Sequence, residues 1–145
     1  MRKASKILFL VAAILSIVAA VTWLISGIIM VVIPNTEAFA EGFAEAWNQS
    51  EHSGVTYDEA FAAAKGIFVF LGVLFFIATC CAAVNSLFSF KAFNASKNGK
   101  PNKALNILNI VFGVLSGVEV NIAGAIFAFV ADGQEERRAA ISQKE

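Results

Sequence analysis

The chain has 145 residues, 58% of them hydrophobic, and a mean hydropathy of +0.71, above the usual share for soluble domains. Eleven basic residues balance eleven acidic ones, so no basic excess marks a nucleic-acid partner. The composition points to one all-α membrane domain spanning 1–145, in contact with membrane lipid.

Three apolar runs carry that content: Ile7 to Ile33 and Gly66 to Phe90 without any charge, and Ala104 to Ala131 with Glu119 alone. Each exceeds the roughly 20 residues a helix needs to cross a hydrocarbon core of about 30 Å. The expectation is a three-span helical bundle, with spans at 7–33, 66–90 and 104–131, links at 34–65 and 91–103, and a polar tail at 132–145. The N-terminal run of 27 residues is too long for a signal h-region of about 7 to 15, although Ala38-Phe39-Ala40 offers a small-x-small pattern, so it reads as an anchor.

Charge is segregated along the chain. Arg2, Lys3 and Lys6 precede the first run, and Lys91, Lys97, Lys100 and Lys103 fill the second link. The first link holds Glu37, Glu41, Glu45, Glu51, Asp58 and Glu59 against Lys65. Lysine and arginine are retained in the cytoplasm, so the N-terminus and the second link are expected inside and the acidic loop outside. Three crossings then put the tail outside, where Arg137 and Arg138 sit badly. Splitting the last run near Ser116 to Glu119 would leave halves of about 20 Å, too short to span. One continuous helix is therefore expected there.

The first link has helical signals of its own. Phe39, Phe43 and Trp47 recur at four-residue spacing opposite Glu37, Glu41 and Glu45, an amphipathic helix capped by Asn35 or Thr36. Its acidic polar face is unlike the basic face of lipid-binding helices, so it should pack on protein. Thr56-Tyr-Asp-Glu59 reads as a capping box leading into the second span.

Small residues let membrane helices approach closely. Ala12, Ala13, Ser16, Ala19, Ala20 and Gly27 share a face of the first run, and Ala78, Ala82, Asn85 and Ser89 a face of the second. Asn106, Asn109, Gly113, Gly117, Asn121, Gly124, Ala128 and Ala131 share one of the third. Gly113 and Gly117 form a GxxxG pair, and Asn85, Asn106, Asn109 and Asn121 can hydrogen-bond between helices. Cys80 and Cys81 read as small packing residues. Glu119 projects about 160° from the third stripe, where a charged carboxylate meeting lipid costs several kcal/mol. A protomer or partner interface, a polar cavity at a local break, or a shallow position near the headgroups would each accommodate it.

Catalytic arrangements are missing: there is no phosphate-binding Gly-rich loop, HExxH or CxxC, and the single histidine is His52 in the first link. No enzyme activity, cofactor or metal is expected. Asn48 and Asn94 head glycosylation sequons that opposite sidedness would prevent from both being used.

The segment NGKPNKALNILNIVFGVLSGVEVNIAGAIFAFVAD, residues 98 to 132, resembles the last transmembrane segment of small bacterial membrane proteins in families of unknown function. There a Lys-containing turn leads into a run of Ile, Leu and Gly and a short polar tail. The resemblance implies a bacterial cytoplasmic membrane location and carries over no catalytic residues.

The expected function is a non-enzymatic accessory or scaffold subunit that binds another membrane protein, or itself, through the third span and the outer helix, with Glu119, Asn121, Phe39, Phe43 and Trp47 as candidate contacts. The alternative is a small oligomeric channel or transporter with Glu119 and Asn121 in its pathway.

Overall fold

The computed structural model describes residues 2–50, 54–98 and 102–142. Among these residues it is all-helical: α1 (Arg2–Val32), a 3-10 turn (Ile33–Asn35), α2 (Glu37–Asn48), α3 (Tyr57–Lys97), α4 (Lys103–Ser116) and α5 (Val120–Ser142). Two helices, α1 and α3, are long and apolar enough to cross a membrane. Tertiary contacts divide the single expected domain into two compact units, Met1–Val21 with Ala78–Glu145, and Thr22–Ile77.

The third apolar run is not one helix. It breaks after Ser116 and restarts at Val120, which corrects the expectation of a continuous span over 104–131. Gly117 adopts φ +70°, the left-handed conformation that Gly enters without a Cβ penalty. Its N–H donates to the Val114 carbonyl (3.3 Å), and the Val118 N–H reaches back to the Gly113 carbonyl (2.9 Å). This six-to-one and five-to-two pairing is a Schellman stop, and it satisfies carbonyls that α4 would otherwise leave open. The Glu119 carbonyl then accepts from Ile122 N–H (3.0 Å), placing Glu119 at the N-cap of α5. Asn102 caps α4 at its other end, its side chain accepting from the Leu105 N–H (3.2 Å).

Within the first unit, the contact partners fix the direction of each helix. Ser5 Oγ donates to the Gly124 carbonyl (3.2 Å) and Ser86 Oγ to the Ala13 carbonyl (3.2 Å). Phe9 of α1, Ala92 of α3 and Ala125 and Ala128 of α5 form one buried cluster, with Phe93, Leu105 and Ile110 against it. As α1 rises from Ser5 to Ser16, α3 descends past Asn85 and Ser89, α4 rises to Ser116, and α5 descends through Gly124. The unit is an up-down-up-down bundle of α1, the second half of α3, α4 and α5. Its α4–α5 hairpin turns beside Ser16, the tenth residue of the first apolar run.

The small-residue stripes explain this packing. Ala12, Ala13, Ser16, Ala82, Asn85, Ser89, Asn109, Gly113, Asn121 and Gly124 are all buried, while Val11, Ile14, Leu15, Leu108 and Val114 point outward. Cys80, expected to pack, is exposed, and Cys81 is half-buried.

In the second unit α1 and α3 meet at glycines. A Cβ on Gly72 would lie 2.7 Å from Val31 Cγ2 and 3.3 Å from the Gly27 carbonyl; one on Gly27 would lie 3.1 Å from the Phe76 ring. The backbones touch here because neither residue has a side chain. Thr36, not Asn35, caps α2, accepting from the Phe39 N–H (3.3 Å). The capping box at α3 forms as its sequence indicates, with Thr56 N–H donating to Glu59 Oε2 (3.0 Å) and Glu59 N–H to Thr56 Oγ1 (3.4 Å).

Candidate functional site

Six polar side chains from four helical segments converge inside the first unit. Asn85 lies at the centre: its Nδ2 donates to Ser16 Oγ (2.9 Å) and Ser116 Oγ (3.1 Å), and its Oδ1 accepts from Asn121 Nδ2. Ser89 Oγ lies 2.8 Å from the Asn85 carbonyl, 3.0 Å from Asn109 Oδ1 and 2.9 Å from Asn121 Oδ1. Asn109 Nδ2 donates to the carbonyls of Leu105 (2.9 Å) and Phe88 (3.3 Å), which fixes its orientation. Ser16, Asn85, Ser89, Asn109 and Asn121 are fully buried.

A hydroxyl carries one proton, so Ser89 cannot donate to three acceptors at once. The oxygen and nitrogen of an Asn amide are nearly isosteric, and turning Asn85 and Asn121 together removes the conflict. Ser89 then donates to Asn109 Oδ1 and accepts from Asn121 Nδ2. Asn121 Oδ1 accepts from Asn85 Nδ2, and Asn85 Oδ1 faces the Ser16 and Ser116 hydroxyls. In that orientation the competition moves to Ser116, whose single proton serves either Asn85 Oδ1 (3.1 Å) or the Phe112 carbonyl (2.6 Å); in both orientations the six side chains stay linked in one buried network. The network contains no titratable group and no nucleophile with a base; its chemistry is that of a clamp between helices.

The predicted site residues divide accordingly. Asn85, Asn109 and Asn121 meet in the clamp, while Asn106 is buried on the same stripe but stays outside it. Gly113 serves close packing: an added Cβ would stand 3.1 Å from Asn121 Cβ and 3.3 Å from the Val118 carbonyl. Gly117 does not. A Cβ there would meet nothing within 4 Å, and the residue is needed for its φ, so its assignment as a helix-packing residue is corrected. Ser16 and Ser89 lay on the expected stripes, whereas Ser116 was missed because a serine beside a glycine reads equally well as plain helix.

Glu119 is at the hairpin tip, exposed, and not on the outer face of a helix as the projection required. It borders an open groove of about 420 Å³ whose other walls are Gly113, Val114, Gly117, Ile122, Ala123 and Ile126. Among the described residues no donor or cation meets its carboxylate. Glu119 and Asn121 thus have opposite settings: one opens outward into the groove and the other is sealed in the clamp.

In the second unit, Phe39, Phe43 and Trp47 are half-buried against α3. Phe39 meets Phe68 edge-on (5.2 Å between centroids), Phe43 meets Phe61 (5.2 Å), and Trp47 meets Tyr57 edge-on (5.9 Å). Lys65 Nζ lies 4.7 Å over the Phe61 ring, a cation–π contact. These aromatics hold α2 to its own unit, as its acidic polar face suggested. His52 lies outside the described residues. Comparison of the chain with protein-family models, curated proteins and solved structures finds no match.

Proposed function

We propose that the chain is a non-enzymatic integral protein of the bacterial cytoplasmic membrane, an accessory or scaffold subunit that holds another membrane protein at the tip of its α4–α5 hairpin. In this reading α1 and α3 cross the membrane, and α4 and α5, of 14 and 23 residues, enter and leave on one side. Irregular backbone at depth is tolerated where its polar groups are re-satisfied, as the Schellman stop does for the Gly113 and Val114 carbonyls. Lys3, Lys6, Lys91, Lys97, Lys103 and Arg137 then all lie at one end of the bundle, the cytoplasmic end by the positive-inside rule.

The observation that carries the reading is Glu119: an exposed carboxylate in an apolar groove, three residues beyond Ser116, which shares Asn85 with Ser16, the tenth residue of the first apolar run. From Ile7 to Ser16 is about 15 Å of helix, half the hydrocarbon thickness. A polar group at that depth is expensive unless something covers it. A channel using Glu119 and Asn121 together is less well supported, because the clamp consumes Asn121.

Purification in native lipid tests the proposal. Wild type should retain a second membrane protein in fixed stoichiometry, and Glu119→Lys should lose it while keeping its own helicity. Wild type that purifies alone, or a complex indifferent to Glu119→Lys, would refute the reading.

A further inference from the structure

We infer that the groove at the hairpin tip receives a transmembrane helix of a different protein, one that carries a Lys or Arg near its middle and pairs that cation with Glu119. This deepens the proposed function and rests on it.

Four kinds of occupant can be weighed. A hydrated metal ion needs several oxygen ligands to replace its water, and the groove offers one carboxylate among Gly113, Val114, Gly117, Ile122, Ala123 and Ile126. A lipid headgroup belongs at the interface, not beside Ser16. A second copy of this chain supplies no partner charge: the three apolar runs contain no Lys or Arg, so self-association would bring Glu119 against apolar side chains or another Glu119. A cationic side chain on a foreign helix fits what is present. Its methylene stem matches the apolar walls, the exposed Gly117 and the half-buried Ala123 allow a helix backbone to come close, and its charge meets the Glu119 carboxylate. Intramembrane ionisable residues characteristically pair with one another in this way.

The inference also explains why the tip carries Glu and not a second amide. An Asn there would pair with any polar group, whereas a carboxylate selects for positive charge. Neutralising a cation that otherwise costs free energy in the bilayer centre makes the pair strongly preferred over an uncharged helix.

Synthetic Leu/Ala transmembrane helices with Lys, Glu or Leu at the central position, incorporated with the purified chain into phosphatidylcholine vesicles, provide the probe. Binding is read by energy transfer between labels on helix and chain. Vesicle flotation first establishes that the chain is membrane-inserted. The Lys-centred helix should bind wild type at least tenfold more tightly than the Leu-centred one, and Glu119→Gln should erase that preference. The reversed pair, Glu119→Lys with the Glu-centred helix, should restore it, which guards against a variant that merely misfolds. Equal binding of Lys- and Leu-centred helices, or a Lys preference that survives in Glu119→Gln, would overturn the inference. Wild-type self-association abolished by Glu119→Gln would overturn it too, in favour of a second copy. If a native partner still depends on Glu119 while the Lys preference is absent, the subunit reading stands and only the cation is wrong. A chain that does not float with the vesicles fails both.

Discussion

At the scale of single residues, the two glycines of GVLSG do different work, and their substitutions should differ in kind. Gly117 is needed for φ +70°, so Gly117→Ala should cost about 1 kcal/mol, and Gly117→Asn less, because Asn tolerates the left-handed region. Gly113→Ala acts by crowding, its Cβ set 3.1 Å from Asn121 Cβ and 3.3 Å from the Val118 carbonyl, and Asn there should be worse than Ala. Gly66, with open space around it, is the control: Gly66→Ala should leave the Tm in detergent unchanged or raised. If Asn were better tolerated than Ala at Gly113 as well as at Gly117, the division of roles would be wrong. At the clamp, Asn85→Leu removes three side-chain partners together. With interhelical hydrogen bonds in membranes averaging about 0.6 kcal/mol each, the loss should be about 2 kcal/mol, visible as a Tm lower by several degrees. Asn106→Leu, on the same stripe but outside the clamp, should cost less. The amides were legible as helix glue in the sequence because an Asn on a small-residue face has few other uses. The glycine pair was not, since GxxxG serves a helix contact and a helical stop equally well.

At the scale of elements, the caps and the amphipathic helix were readable and the break was not. Thr36 and Thr56 cap as their side chains dictate, and the four-residue recurrence of Phe39, Phe43 and Trp47 does mark the packed face of α2. The capping box makes a pH prediction. Hydrogen bonds from the Thr56 backbone N–H and then its hydroxyl hold the Glu59 carboxyl below its ordinary 4.5, against a small opposing desolvation. A depressed carboxyl stabilises the folded helix start above its unfolded value and loses that contribution as pH falls through the lowered one. The protection factor for amide exchange at the first turn of α3, taken against the intrinsic rate at each pH, should therefore fall below about pH 4.5, and Thr56→Ala should shrink the change. A protection factor there that is flat across this range would contradict the box's role. The break between α4 and α5 escaped the sequence for a physical reason. Both arms of the hairpin face the same core, so both carry inward-pointing small residues, and the stripe continues across the turn as if no turn existed. The argument that half-helices are too short to span holds only if each must span; a hairpin that returns to its own side has no such requirement.

At the scale of the whole molecule, the proposed topology changes the side on which α5 ends. Three full crossings leave the tail outside with Arg137 and Arg138 against the charge bias, whereas two crossings and a returning hairpin bring it back to the side of Lys91, Lys97 and Lys103, so every cluster of basic residues flanking an apolar run obeys one rule. Three single-cysteine positions separate the two topologies once Cys80 and Cys81 are replaced by Ala, changes that should be mild because neither is fully buried. Ser50, Asn98 and Ser142 are all exposed ends of helices or turns, so failure to label reports the membrane and not packing. With an impermeant maleimide on intact cells, Ser50→Cys should react, and Asn98→Cys and Ser142→Cys should react only after permeabilisation. The position that decides is Ser142: α5 must end on the same side as the α3–α4 link if α4 and α5 turn back beside Ser16, and on the opposite side if the run from Ala104 to Ala131 crosses as one helix. Labelling of Ser142→Cys in intact cells, with Asn98→Cys protected, would mean that the chain crosses three times in the membrane, that the hairpin opens there, and that Glu119 lies on a helix face after all.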